Sequence, residues 1–192
     1  VVLPDEVQRV QVAIADHSNR FDAVVLTGGL GSTPDDVTVQ AVSDGLGRET
    51  VHDEQTYNLV SEEVETIREE YPEFEFNLNA GAKRPAGSTP IENENGIAPG
   101  FVVENVFVLP GIPSEMKPMF GRVAEDLRGS LHSRSVLSTE AESHLNDLLN
   151  RVDQEFDVFV GCYPDNDEVF KRIKIRGTNP ESVENAYSWL LD

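Results

Sequence analysis

Phe21–Thr38 reads FDAVVLTGGLGSTPDDVT, in the order strand, glycine loop, helix start. Ala23-Val24-Val25-Leu26 is a short run without a polar residue, as a buried parallel strand needs, which predicts a central position in a sheet. Gly28, Gly29 and Gly31 follow at once. Glycines directly after a buried strand let the backbone turn tightly and approach a ligand closely. Their N–H groups, with the N-terminus of the next helix, suit a phosphate or another anion. The spacing is neither a Walker A loop nor a GxGxxG dinucleotide motif. Asp35 and Asp36 have a second use, capping that helix and complementing its dipole. From spacing alone, a ligand loop and a plain tight turn both stay open.

Outward from this stretch, Leu3–Arg20 predicts a helix capped by Asp5, with Val7, Val10 and Ile14 on one face. After the loop, Val37, Ala41, Val42 and Leu46 predict a helix ending near Gly45 or Gly47. From Asp53 a longer helix carries Tyr57, Val60, Val64, Ile67 and Tyr71 on one stripe. Residues 77–100 hold four glycines and three prolines, which predicts a long loop with short strands at most. Phe101–Val103 and Val106–Leu109 read as a hairpin turning at Glu104-Asn105. Pro113 fits the first turn of the next helix, whose apolar face holds Met116, Phe120, Val123 and Leu127.

Near Leu131 the pattern restarts. A weak strand SRSVLS comes first, then a helix with a Thr139/Glu142 capping box. Strands follow near Asp157–Gly161 and Val169–Arg176, and Pro180 opens a last helix. The order β-α-β-β-α predicts a small ferredoxin-like layer. Two domains are expected, residues 1–132 and 133–192.

Composition narrows the partners. Among 192 residues, 15 Lys+Arg stand against 35 Asp+Glu, a net charge of −20. That field disfavours nucleic acid and anionic membrane as partners. Four lysines against eleven arginines, with acid spread along the chain, resemble the composition of proteins from salt-loving microbes. One cysteine, Cys162, excludes an internal disulfide and reads as a small packing residue. No signal peptide or membrane span is visible, which predicts a cytoplasmic protein. His17, His52, His132 and His144 lack zinc spacing. Arg172, Lys174 and Arg176 form one basic stripe, too short for nucleic acid and expected to pair with neighbouring acid. Trp189 reads as packing.

Three motifs in order carry a resemblance. TGGLGSTPDDVT at Thr27–Thr38, AGAKRPAGSTPIENENGIAPGF at Ala80–Phe101 and PGIPSEM at Pro110–Met116 resemble the molybdopterin-binding (MoaB/MogA-like) domain family, CinA type. The tail from Ser135 to Leu191 is similar to the small αβ segment after the CinA core. The resemblance implies a three-layer α/β/α core around a mostly parallel sheet, with a small C-terminal α+β subdomain. Ser32 stands where the family usually has proline. The family core opens with a strand carrying Gly-Asp-Glu and a helix, and this chain is expected to start after both, lacking part of the usual site. Nothing in these residues resembles the family's amidase domain, so that activity is not expected of them.

Carried over by resemblance, Thr27, Gly28, Gly29, Gly31 and Thr33 form a pocket floor for molybdopterin or a nucleotide phosphate. Asp36, with Asp35 beside it, meets the ligand or a divalent cation. Pro110, Gly111, Pro113 and Ser114 form the opposite wall, with helix-terminal N–H groups aimed at phosphate. Glu115 reads as a metal or hydroxyl partner, or equally as a first-turn dipole partner. Ser88, Thr89 and Asn95 are candidate ligand contacts or solvated loop residues. Lys83 and Arg84 are candidate phosphate neutralisers or an ordinary surface pair. Three functions stay open: a binding module for a pterin or nucleotide phosphate, a metal-dependent pyrophosphatase acting on ADP-ribose or related dinucleotides, and a structural oligomer with an incomplete site. A homo-oligomer, dimer or trimer, is implied.

Overall fold

The computed structural model describes residues 1–127, 129–164 and 170–191. The chain divides into two compact units, residues 1–127 and 128–192. Among the described residues no helix is long and apolar enough to cross a membrane.

In the first unit, β6 (Val106–Leu109) is buried at all four positions. Its Val-Phe-Val-Leu sequence alternates two packed faces, as a strand between two helix layers requires. β1 (Val24–Thr27) runs parallel to it, Val24 opposite Val106. β5 (Gly100–Val103) and β4 (Thr89–Ile91) add antiparallel strands, giving the order β1-β6-β5-β4. Among the described strands the parallel pairing is thus confined to β1 and β6, and the sheet is mixed. The β5–β6 turn falls at Glu104-Asn105 as the sequence predicts, with Glu104 at φ 54°. Asn105 then ties the hairpin to the chain entering β1. Its Nδ2 donates to the carbonyls of Ser18 and Phe21 at 2.9 and 2.8 Å, and its carbonyl accepts from Val24 N at 2.9 Å.

Two helix layers enclose this sheet. α1 (Val7–Arg20) and α2 (Thr38–Gly45) bury Val10, Ile14, Ala41 and Val42 against Phe101, Val103, Val106 and Val108. α5 (Pro113–Val123) buries Met119 and Val123 against Ile91, Phe107 and Leu109 on the other face. Each large aliphatic side chain removed from water here contributes about 1.5–3 kcal/mol. The architecture is therefore mixed α/β in three layers.

The position predicted for Ala23–Leu26 is corrected. β1 ends the described strand order instead of lying in its middle, and β6 takes the central place. Val24 and Leu26 pack on the α1/α2 side, whereas Val25 is 43% exposed. An apolar run reports side chains that can be buried, not how many strands flank it, so it did not separate β1 from β6. The helix-cap expectation for Asp5 also shifts: Glu6 is the N-cap of α1 and makes no side-chain cap bond.

The long breaker-rich stretch is partly ordered. β2 (Thr50–His52) and β3 (Lys83–Pro85) form an antiparallel pair, Val51 opposite Arg84. Between them run α3 (Glu54–Glu70) and the short α4 (Leu78–Gly81). Asp53 caps α3, its Oδ1 accepting from Thr56 N at 2.7 Å, and its Oδ2 pairs with the buried Arg84 guanidinium.

The second unit follows the predicted order. β7 (His132–Ser138), α6 (Glu142–Glu155), β8 (Phe159–Pro164), β9 (Lys171–Gly177) and α7 (Pro180–Leu191) form one antiparallel sheet, β7-β9-β8, with two helices. Val152, Val158, Ile175, Val183 and Ala186 make its core. Phe156 and the Arg151 guanidinium, 4.6 Å from the ring centroid, flank Trp189. The capping box is absent: Ala141 is the N-cap of α6, so Thr139 lies too far upstream to reach the first turn. Val169, predicted to start the last strand, lies outside the described residues. Burial, then Glu142, push the Cys162 thiol up, with Lys171 opposing, in keeping with an unreactive packing residue.

Candidate functional site

The glycine loop begins where β1 ends. Gly28 N donates to Leu109 O at 2.9 Å, so the loop is tied to the end of β6 as it leaves the sheet. Gly28 and Gly29 hold φ of 96° and 68°, values that favour glycine. A Cβ on Gly29 would sit 2.4 Å from Thr38 Oγ1, the hydroxyl that donates to Gly28 O. A Cβ on Gly111 would meet Gly28 Cα at 3.2 Å. Two segments far apart in sequence thus meet backbone to backbone at Gly28 and Gly111.

A cleft of about 540 Å³ opens there. One wall is Gly28–Gly31 with Asp36, the other is Pro110, Gly111, Ile112 and Glu115, and the 96–98 stretch closes the rim. The N–H groups of Gly29, Leu30 and Gly31 make no hydrogen bond among the described residues. Successive free backbone N–H groups form a concavity that holds anions. The α5 terminus offers less than the sequence suggested. Pro113 has no N–H, and those of Glu115 and Met116 bond Ile112 O at 3.0 and 2.9 Å, which leaves Ser114 N–H among the first four positions.

The carboxylates part company. Thr33 binds both aspartates, its hydroxyl at 2.5 Å from Asp35 Oδ1 and 2.6 Å from Asp36 Oδ2, and its N–H donates to the latter at 3.0 Å. The Thr33 hydrogen bond, then a backbone bond, hold the exposed Asp35 carboxyl below its ordinary value. Asp35 and Thr33 therefore close the turn and do not line the cleft, while Asp36 does both. Across the cleft, Glu115 Oε2 accepts from Asn93 Nδ2 at 2.8 Å, and that amide also reaches Ala98 O at 3.0 Å. Asp36 Oδ1 and Glu115 Oε1 carry none of these bonds. Thr27, Pro113 and Ser114 likewise lie outside the cleft lining.

Asn95 has a structural task. Pro118 lies inside α5 and lacks the N–H that would bond Ser114 O. Asn95 Nδ2 donates to that carbonyl at 3.1 Å, fastening the rim to the helix. Ser88 closes a turn on Pro85 O at 2.7 Å. Arg84 is buried on Asp53, with Lys83 exposed beside it on β3, so neither lines the cleft. Sequence reasoning missed Asn93, one asparagine in a polar loop with no periodic signal. It also missed Ile67, read as part of the apolar stripe of α3, and Phe76, which it did not single out; both line the cleft. Among the described residues no group of three or more His, Cys, Asp or Glu is placed to hold a metal ion.

Comparison with known proteins places the family and the fold. Residues 1–129 match the family described as probable molybdopterin binding domain, and residues 130–192 match the FAD synthase middle domain. A protein of Archaeoglobus fulgidus is 32% identical over 97% of this chain and 78% of its own length. A CinA-like protein of Thermosipho melanesiensis is 36% identical over 62% of this chain and 30% of its own length. The crystal structure of CinA from Thermoplasma acidophilum, titled as of unknown function, superposes with a TM-score of 0.55 at 29% identity, over 64% of this chain and 73% of that one. The chain belongs to the molybdopterin-binding domain family, in its CinA type.

Proposed function

We propose that the first unit binds a phosphorylated heterocycle, a pterin or a nucleotide, in this cleft. The observation that carries the reading is the run of free N–H groups at Gly29, Leu30 and Gly31, in the segment that forms one wall. Phosphate sits against them, and Ile67, Phe76, Ile97, Ala98 and Ile112 give a ring an apolar seat. The match of residues 130–192 to a FAD synthase segment supports the nucleotide side of the reading. The protein works in the cytoplasm as a dimer or trimer, which sedimentation measures.

The two cleft carboxylates favour a second reading, metal-dependent hydrolysis of ADP-ribose or a related pyrophosphate. Asp36 and Glu115 each keep one oxygen outside their hydrogen bonds to Thr33 and Asn93. Two carboxylates plus substrate phosphate oxygens fit a magnesium-type cation, which takes few protein ligands. Bound there, such a cation would polarise a phosphoryl oxygen and acidify a bound water. Asn93 holds Glu115 in place for that role. Calorimetric titration of ADP-ribose and AMP in high salt, with and without Mg²⁺, tests binding, and phosphate-product assays test turnover. Binding without turnover leaves the binding module; no binding of either nucleotide or of a pterin phosphate overturns both readings.

A further inference from the structure

The outer face of the small sheet is built unlike the rest of the chain. Strand register places Ser133, Arg176 and Phe159 in one row, Ser135, Lys174 and Gly161 in the next, and Leu137, Arg172 and Tyr163 in the third. The opposite face carries Ile173 and Ile175, buried in the unit. On the outer face Phe159 is 67% exposed, and Leu137 and Tyr163 are also largely open. Four of the chain's fifteen Lys and Arg fall within Lys171–Arg176. The expectation that this stripe pairs with neighbouring acid fails for two of its three cations: neither Lys174 nor Arg176 enters an ion pair among the described residues.

The aromatic positions are specific. A Cβ built on Gly161 would lie 2.8 Å from the Tyr163 hydroxyl and 2.9–3.0 Å from the adjoining ring carbons. The tyrosine ring therefore lies over Gly161, down on the sheet and beside Lys174, with a face open to solvent. Phe159 stands next to Arg176 at the other end. Cations two residues apart along β9 are spaced by roughly 6.7 Å. Rings alternate with them across the neighbouring strand.

We propose that this face binds single-stranded nucleic acid. An extended strand satisfies both features at once, its phosphates following Lys174 and Arg176 while bases stack on Tyr163 and Phe159. An acidic peptide would meet the cations and leave the rings unused. The net charge of −20 governs the distant field, but the Debye length is about 8 Å at physiological ionic strength, so Lys174 and Arg176 act on a strand in contact with them largely apart from that field. This site is separate from the phosphate cleft of the first unit and independent of that reading.

Fluorescence polarisation of the full chain with labelled unstructured oligonucleotides, dT12 and rU12, tests it. A duplex of equal length and a poly-glutamate peptide serve as competitors, and ADP-ribose reports on the cleft separately. Expected is micromolar binding in 50 mM salt that weakens as salt rises. Phe159→Ala and Tyr163→Ala should each weaken it about tenfold. Lys174→Glu with Arg176→Glu should abolish it while the melting curve and ADP-ribose binding stay unchanged. Gly161→Ala should weaken it by pushing the tyrosine ring off the sheet. No binding of either oligonucleotide, equal binding of duplex, or effective competition by poly-glutamate with no effect of the aromatic variants would overturn the proposal. The last result would assign the face to an acidic protein segment instead.

Discussion

Gly28, Gly29 and Gly31 do different work although the sequence presents them alike. Gly29→Ala places a methyl group against Thr38 Oγ1 at a positive φ, so it should cost about 1–3 kcal/mol of folding as well as ligand affinity. Denaturant melts alongside titrations measure both losses. Asp36→Asn is the cleaner probe, because an amide oxygen still accepts from Thr33. It should leave the melting temperature nearly unchanged and lower ADP-ribose affinity about tenfold with Mg²⁺ present, and much less without it. The glycines were legible because a tight turn after a strand leaves few alternatives. Spacing alone does not separate Asp35 from Asp36, because adjacent carboxylates look identical; the resemblance singles out Asp36, the one that lines the cleft.

Elements show a second division between what was legible and what was not. Helical stripes and the hairpin at Glu104-Asn105 announce themselves by periodicity and turn chemistry. Strand neighbours do not, so β1 lies at the end of the described order where a central place was expected. The contact between Asn95 and α5 is of the same hidden kind: Pro118 orphans a carbonyl in one element, and a loop 19 residues before that carbonyl answers it. A double-mutant cycle of Asn95→Ala with Pro118→Ala should show coupling of about 1 kcal/mol, since restoring the helix N–H makes the amide redundant. Asp53 joins α3 to β3. Burial raises its pKa, but the Thr56 N–H and the Arg84 guanidinium together hold it net below 3.8. A depressed folded-state pKa contributes stability above the unfolded value and loses it as pH falls through the folded one. The acid melt should therefore steepen below pH 3.8 in the parent and not in Asp53→Asn. That variant should already be about 3 kcal/mol less stable at pH 7, because Arg84 stays buried without its carboxylate.

At the scale of the whole molecule, acid is spread along both units, and the surface ion pairs, such as Arg48–Glu104 and Arg134–Glu184, are few against −20. Self-repulsion of that size is screened at molar salt, where the Debye length is about 3 Å. The melting midpoint should rise steadily from 0.1 to 2 M KCl; an equal or lower midpoint at high salt would remove the salt-adapted reading of the composition. The two-unit order was legible because the apolar pattern restarts after Leu131. The cleft between Gly28 and Gly111 was legible only through the paired motifs, since nothing local to either says that they meet. That meeting is the centre of the account, and amide hydrogen exchange with and without saturating ADP-ribose in 2 M KCl tests it most directly. The account predicts protection at Gly29–Gly31 and at Gly111–Ile112 together, the two facing walls of the cleft, with Phe159–Pro164 unchanged. Binding that protects one of these segments and not the other, or neither, would contradict a shared phosphate site.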